Sequence, residues 1–263
     1  MPNQREWYNV QNSAEEVQID IYGDIGDSWW SDSVSAKQLL DAISAAKGKP
    51  ITLCINSGGG SVFDAFAMMS ALKAHDAKVT ARVDGVAASA ASFILAAADE
   101  VVMSSVAWIM IHDATVYEYG RAEDLRKTAD WMDRVNDQLA GIYAKRCRRT
   151  KDEFADAMHE TTWYTADEAL EIGLVDSVSE VVAIAACATK DKATIDSAPQ
   201  EARDLLSGNG AGVVGNIGQH AVGILSDTLE IIPTDEGDDQ EADHPDAQER
   251  VVIIDSKLYR LEN

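Results

Sequence analysis

Between residues 17 and 22, the segment VQIDIY alternates apolar and polar positions, the period-two signature of a strand with one buried face. A Gly-Asp turn follows. Over 33–47 the period changes, and Leu39, Leu40 and Ile43 recur at helical spacing in SVSAKQLLDAISAAK. ITLCI at 51–55 is a continuous apolar run that predicts a buried strand. It leads into NSGGG, after which a helix starts at Ser61 with Ser61 and Asp64 as its cap pair. The alternation then repeats. VTARV at 79–83 predicts a strand, Asp84-Gly85 a turn and residues 88–98 an Ala-rich helix. VVM at 101–103 and AWIMI at 107–111 predict two more strands, the second of the fully buried type. Leu125, Met132, Val135, Leu139 and Ile142 space a long helix over 122–146, and a short helix follows at 151–158. Thr165 and Glu168 form a capping box for a last helix, Gly173 stops it, and LVDSV ends the pattern as a strand.

Strands alternating with helices in this order predict an α/β fold with largely parallel pairing and right-handed crossovers. The pattern fades after about residue 185, which sets a folded domain at 1–185 and an extension at 186–263. Six glycines fall within residues 208–223, and residues 227–249 hold ten acidic side chains with no Lys or Arg. Such a stretch buries too little apolar surface to offset its chain entropy, so the extension is expected to be mostly disordered. Its end, VVIIDSKLYRL, is apolar enough to dock or to form a strand.

Composition changes the picture mainly through charge. The 263 residues are 46% hydrophobic and 25% charged, ordinary for a globular protein, but the net charge is −23. A chain this acidic repels nucleic acid and anionic lipid, so neither is an expected partner. Cys54, Cys147 and Cys187 are odd in number and widely spaced, which argues against a disulfide framework or a cysteine zinc site. The N-terminus, MPNQREWYNV, has no apolar signal core, and no apolar run reaches the length of a membrane span. These features together predict a cytoplasmic chain.

Ser89 and His112 are the candidates for chemistry. Ser89 follows a strand and a Gly turn at the start of the Ala-rich helix in GVAASAASF, with a hydroxyl placed among unpaired backbone N–H groups, although the GxSxG spacing is absent. His112 ends the apolar strand WIMIH. Gly58, Gly59 and Gly60 lie between a strand and a capped helix, where backbone N–H groups can approach a bound group; they match neither a P-loop nor a dinucleotide motif. HETTW, from His159 and Glu160, begins like a zinc-protease motif but lacks the second histidine, so no metal is expected. Lys145, Arg146, Arg148 and Arg149 read as solvated charge at a helix end.

Taken in order, INSGGGSV (55–62), GVAASAASFILAAA (85–98), VMSSVAWIMIH (102–112) and WYTADEALEIGLVDSV (163–178) resemble the successive signature segments of ClpP, the proteolytic component of the Clp protease. The resemblance spans about residues 17–180, and its closest flavour is the ClpP-related head-maturation proteases of tailed phages and prophages. It implies the ClpP/crotonase-type superfold of repeated ββα units. It also implies a serine endopeptidase acting on polypeptide, with Ser89 as nucleophile and His112 as general base. The backbone N–H groups of Gly59 and Ala90 fall where the family builds its oxyanion hole, and Gly58 stands where most relatives have Pro. No cofactor is implied. A homo-oligomeric ring is, with an ATP-dependent unfoldase or capsid and scaffold proteins as partners. One position departs from the pattern: Thr161 stands where the family places the Asp that orients the histidine, with Glu160 beside it. Both remain candidates for that role. Two other readings stay open, a catalytically weak ring or scaffold component and a crotonase-type acyl-CoA enzyme.

Overall fold

The computed structural model describes residues 8–26, 33–180, 192–200, 202–203, 229–231, 250–254 and 257–261. The chain falls into two units, Met1–Asn209 and Gly210–Asn263. The boundary expected at 185/186 and the glycine-rich run lie outside the described residues, as does most of the acidic run.

The first unit opens with β1 (Tyr8–Asn12) and β2 (Val17–Ile21), then a short parallel pair, β3 (Asp24–Ile25) and β4 (Ser33–Val34). Next come α1 (Ala36–Ala46), β5 (Ile51–Ser57), α2 (Val62–Lys73) and β6 (Val79–Ala88). They are followed by α3 (Ala90–Ile94) with a single 3-10 turn, Leu95–Ala97, and by β7 (Glu100–Ser104) and β8 (Trp108–Ile111). The unit continues with α4 (Ala122–Arg146), α5 (Lys151–His159), β9 (Thr162–Thr165), α6 (Ala166–Ile172), β10 (Ser177–Ser179) and α7 (Lys192–Ser197).

The main sheet runs β1-β2-β5-β6-β7-β10, with β8 paired to β6 and β9 paired to β8. Pairing is parallel except at β1–β2 and β8–β9. This is the mixed α/β architecture that the strand–helix alternation predicts. β2 alternates buried and half-buried positions, whereas β5 is buried almost throughout because sheet partners and helices cover it. The core gathers Ile19, Leu53, Phe93, Leu95 and Phe154 among its fully buried side chains, each contributing roughly 1.5–3 kcal/mol over an exposed position.

Asp84-Gly85 is not a turn. β6 runs through it to Ala88, and the pair marks where the strand changes neighbour: Thr80–Val83 pair with β7, and Val86–Ala88 pair with β8. On the other side the register with β5 slips between Ile55 and Ser57, a β-bulge that Asn56 fills by accepting the Val86 N–H at 3.0 Å. A side chain at Gly85 would meet Asn56 Oδ1 at 2.6 Å, which explains the glycine. The Ala-rich helix is shorter than 88–98 because the strand takes its start. β1 and β9 have no counterpart in the sequence reading.

In the second unit β11 (Leu229–Ile231), β12 (Arg250–Ile254) and β13 (Lys257–Leu261) form an antiparallel sheet in the order β11-β13-β12. The apolar end VVIIDSKLYRL, read as able to dock or to form a strand, contributes to two strands of this sheet. Among the described residues no helix is long and apolar enough to cross a membrane.

Candidate active site

Ser89 is the first residue past β6 and the N-cap of α3, at φ 53° and ψ −123°. This left-handed backbone is rare for a residue with a Cβ and marks a sharp, strained turn between strand and helix. The neighbouring strand holds it: the Ser89 N–H donates to the Met110 carbonyl of β8 at 2.9 Å. His112 lies one residue past the end of β8, and its Nε2 is 2.7 Å from Ser89 Oγ. Both side chains are half-buried. One strand therefore positions the serine and the imidazole together, through its Met110 carbonyl and its end.

The glycine loop packs onto this turn. Gly59 (φ 101°) is buried, and a Cβ there would meet Ala88 O at 2.6 Å, Ser89 Cβ at 2.7 Å and Ala90 N at 2.9 Å. Gly60 (φ 143°) bridges to Ile25, whose N–H donates to Gly59 O at 2.7 Å and whose carbonyl accepts from Ser61 N–H at 2.8 Å. Gly59 and Ala90 thus lie side by side next to Ser89. The Gly59 N–H already donates to Ser57 Oγ at 3.1 Å, and Ser57 Oγ donates in turn to Gly23 O at 2.6 Å. The Ala90 N–H is the first of α3, ahead of any carbonyl that the helix could offer it.

Antiparallel pairing of β8 and β9 matches Ile111 with Thr162 as the last pair of the ladder, and His112 and Thr161 are the residues just beyond it. Thr161 also has a positive φ, 56°, and is half-buried, whereas Glu160 is exposed at the C-terminal end of α5. Among the hydrogen bonds between described residues, neither side chain reaches the imidazole. The segment after His112 is tied down instead: Asp113 N–H donates to Met158 O at 3.2 Å, Asp113 Oδ2 lies 3.1 Å from His159 Nδ1, and Ala114 N–H donates to Asn136 Oδ1 at 2.8 Å. Sequence reasoning missed Ser57, Asp113 and Asn136, and read His159 only as a broken metal motif. Ser57 lies within INSGGGSV and His159 within HETTW, but the partners of these four become visible only when distant segments meet.

A serine hydroxyl bonded to an imidazole, beside closely packed backbone N–H groups, is the equipment of nucleophilic acyl transfer. The model of the Clp protease family matches residues 2–182, and the chain belongs to that family. It is similar to the ATP-dependent Clp protease proteolytic subunit 1 of Chlamydia abortus, 31% identical over 180 residues that cover 64% of this chain and 94% of that protein. It is equally similar to the ATP-dependent Clp protease proteolytic subunit of Pleurastrum terricola, 31% identical over 186 residues, 68% of this chain and 93% of that protein. The subunit 1 protein of Protochlamydia amoebophila is 36% identical over a shorter 135 residues.

Proposed function

We propose that this Clp-family peptidase is a serine endopeptidase working through an acyl-enzyme at Ser89, a reading carried by the 2.7 Å contact between Ser89 Oγ and His112 Nε2. Ser89 Oγ attacks the peptide carbonyl carbon while His112 Nε2 takes its proton. The negatively charged tetrahedral intermediate is met by the Ala90 N–H and by the Gly59 N–H, for which the substrate oxygen competes with Ser57 Oγ. The intermediate collapses as the C–N bond breaks, and the amine leaves with the proton from His112. Water, deprotonated by the same imidazole, then attacks the ester and frees Ser89.

The substrate is polypeptide, as the relatives' names and the family support, and no cofactor is needed for these steps. Phe63 and Trp131 stack at 5.7 Å on the surface, and Tyr117 and Tyr119 are fully exposed; these side chains favour burial against further copies of the chain in a ring. An ATP-dependent unfoldase would feed such a ring, whereas a head-maturation enzyme would process capsid or scaffold proteins directly. A catalytically weak ring component is the second reading, favoured by Thr161 at the position of the orienting carboxylate.

A fluorophosphonate applied to the full chain, followed by peptide mapping, tests the assignment. The probe should modify Ser89, and Ser89→Ala and His112→Ala should each abolish both labelling and peptide hydrolysis. Labelling of Ser92, or labelling that survives Ser89→Ala, would sink the reading. Intact oligomers that never label at Ser89 would select the ring component.

A further inference from the structure

Two buried hydroxyls beneath Ser89 take no part in the chemistry above. Ser92, 1% exposed, lies three residues along α3, and Tyr143, 3% exposed, reaches it from α4 across 51 positions of sequence. Ser92 Oγ lies 2.6 Å from the Ser89 carbonyl oxygen and 2.6 Å from Tyr143 Oη. The direction of both bonds follows from proton counting. A carbonyl only accepts, so the single Ser92 hydroxyl proton points at Ser89 O, and the Tyr143 hydroxyl must donate to Ser92 Oγ. Burial pushes the Tyr143 phenol well above its ordinary value, so it keeps that proton across the working pH range.

The acceptor is what makes this more than a serine bonded back to its own helix. Ser89 O receives two bonds from one residue, the Ser92 N–H at 2.9 Å and the Ser92 hydroxyl at 2.6 Å, while the Ser89 N–H is held by Met110 at 2.9 Å. Both peptide groups flanking the strained Cα are therefore clamped. The orientation of the Ser89 peptide groups fixes where Cβ and Oγ point, and left-handed backbone at a serine persists only where its surroundings over-determine it. Tyr143 is itself fixed, its ring stacked on Phe154 at 5.5 Å.

We infer that Ser92 and Tyr143 are positioning residues for the nucleophile: the chain Tyr143 OH → Ser92 OH → Ser89 O holds the strained turn that aims Ser89 Oγ at His112. This rests on the reading of Ser89 as the nucleophile. It also predicts an inert Ser92, whose hydroxyl is committed to the Ser89 carbonyl.

Tyr143→Phe removes one oxygen and leaves the ring stack in place; Ser92→Ala removes the middle of the relay. In full-length protein, the rate of fluorophosphonate labelling at Ser89 and kcat for a fluorogenic peptide should fall together, by about tenfold in Tyr143→Phe and on the order of 10–100-fold in Ser92→Ala, with KM changed less than twofold. The double variant should be no slower than Ser92→Ala, because the two hydroxyls act as one unit. Melting curves accompany each rate. A variant that melts earlier but labels at the parent rate at 25 °C would make the pair a packing device and overturn the inference, as would losses confined to KM or a double variant in which the two effects multiply. Should Ser92→Ala fail to fold, Tyr143→Phe alone decides. Absence of Ser89 labelling in the parent would overturn the nucleophile assignment first, and the positioning role with it.

Discussion

Replacing Gly59 by alanine separates the strain of the active-site loop from its contacts. Gly59 sits at φ 101°, where an L side chain is strained whatever the space; a residue held in such a region costs about 1–3 kcal/mol. The added Cβ would also stand 2.6 Å from Ala88 O, 2.7 Å from Ser89 Cβ and 2.9 Å from Ala90 N. Ordinary carbon contacts lie near about 3.5–4.0 Å, so the loop and the serine turn must part by about 1 Å. None of the three atoms is the end of a flexible side chain, and the displacement passes directly to Ser89. A shift of that size in a reacting group can cost about 10²-fold in rate, and it breaks the 2.7 Å bond to His112. Gly48→Ala is the control, because Gly48 (φ 75°) carries similar backbone strain with nothing within 4 Å of an added Cβ. The assay is the rate of Ser89 labelling by fluorophosphonate, read beside the melting temperature. Both variants should lose about 2–10 °C in melting temperature, but only Gly59→Ala should lose labelling, by on the order of 10²-fold. Labelling of Gly59→Ala within threefold of the parent would refute the contact argument, and equal losses in both variants would assign the effect to strain alone.

Thr161→Asp should raise kcat by about tenfold or more, since a carboxylate that reaches His112 would stabilise the imidazolium; steady-state peptide hydrolysis with an unchanged or lower kcat would mean that position 161 does not reach the ring. Cys54 and Cys147 should resist iodoacetamide at pH 8 in the folded chain, because burial pushes the Cys54 thiol far up and the Cys147 thiol up to about 11; peptide mapping that finds Cys147 modified would show that the end of α4 opens. Thr165→Ala removes the cap of α6 and should lower stability by about 1 kcal/mol at pH 7. The Thr165 backbone N–H and hydroxyl hold the Glu168 carboxyl below its usual range, so this contribution is present above the ordinary carboxylate pKa and is lost as pH falls through the lowered one. Melts from pH 7 to 3 should show the gap between variant and parent closing at the acid end.

Local signals wrote much of the fold into the sequence. Ser61 caps α2 through the Asp64 N–H, Thr165 and Glu168 form their box, and Gly173 ends α6 at φ 82°, each as the residue types require. Where the reading failed, a distant partner decided. β9 is four residues long, TWYT, and is a strand because β8 lies alongside it more than fifty residues earlier in the chain. Asp84-Gly85 has the composition of a turn, yet Asn56 and two neighbouring strands keep it extended. At the candidate site, the resemblance singled out Ser89 and His112, and the structure places them in hydrogen-bond contact. The Tyr143–Ser92 relay left no trace in the sequence, since nothing local to a tyrosine on a long helix or to the fourth residue of SAAS says that the two meet.

Among the described residues, three without glycine's freedom adopt a positive φ: Lys47, Ser89 and Thr161. Lys47 is the C-cap of α1, where left-handed geometry ends a helix. Of the other two, Ser89 is in hydrogen-bond contact with His112, and Thr161, like His112, lies just past the end of the β8–β9 ladder. Strain of this kind survives where the surroundings impose it, and it gathers at sites of function. Thr161 directly follows the C-cap of α5, where left-handed backbone is also an ordinary way for a helix to end. Glu160 has ordinary helical geometry and an exposed side chain, whereas Thr161 is half-buried. A threonine there can accept or donate a hydrogen bond but cannot neutralise an imidazolium. The chain around His112 is anchored by β8 before it and behind it by the bonds of Asp113 to Met158 and of Ala114 to Asn136.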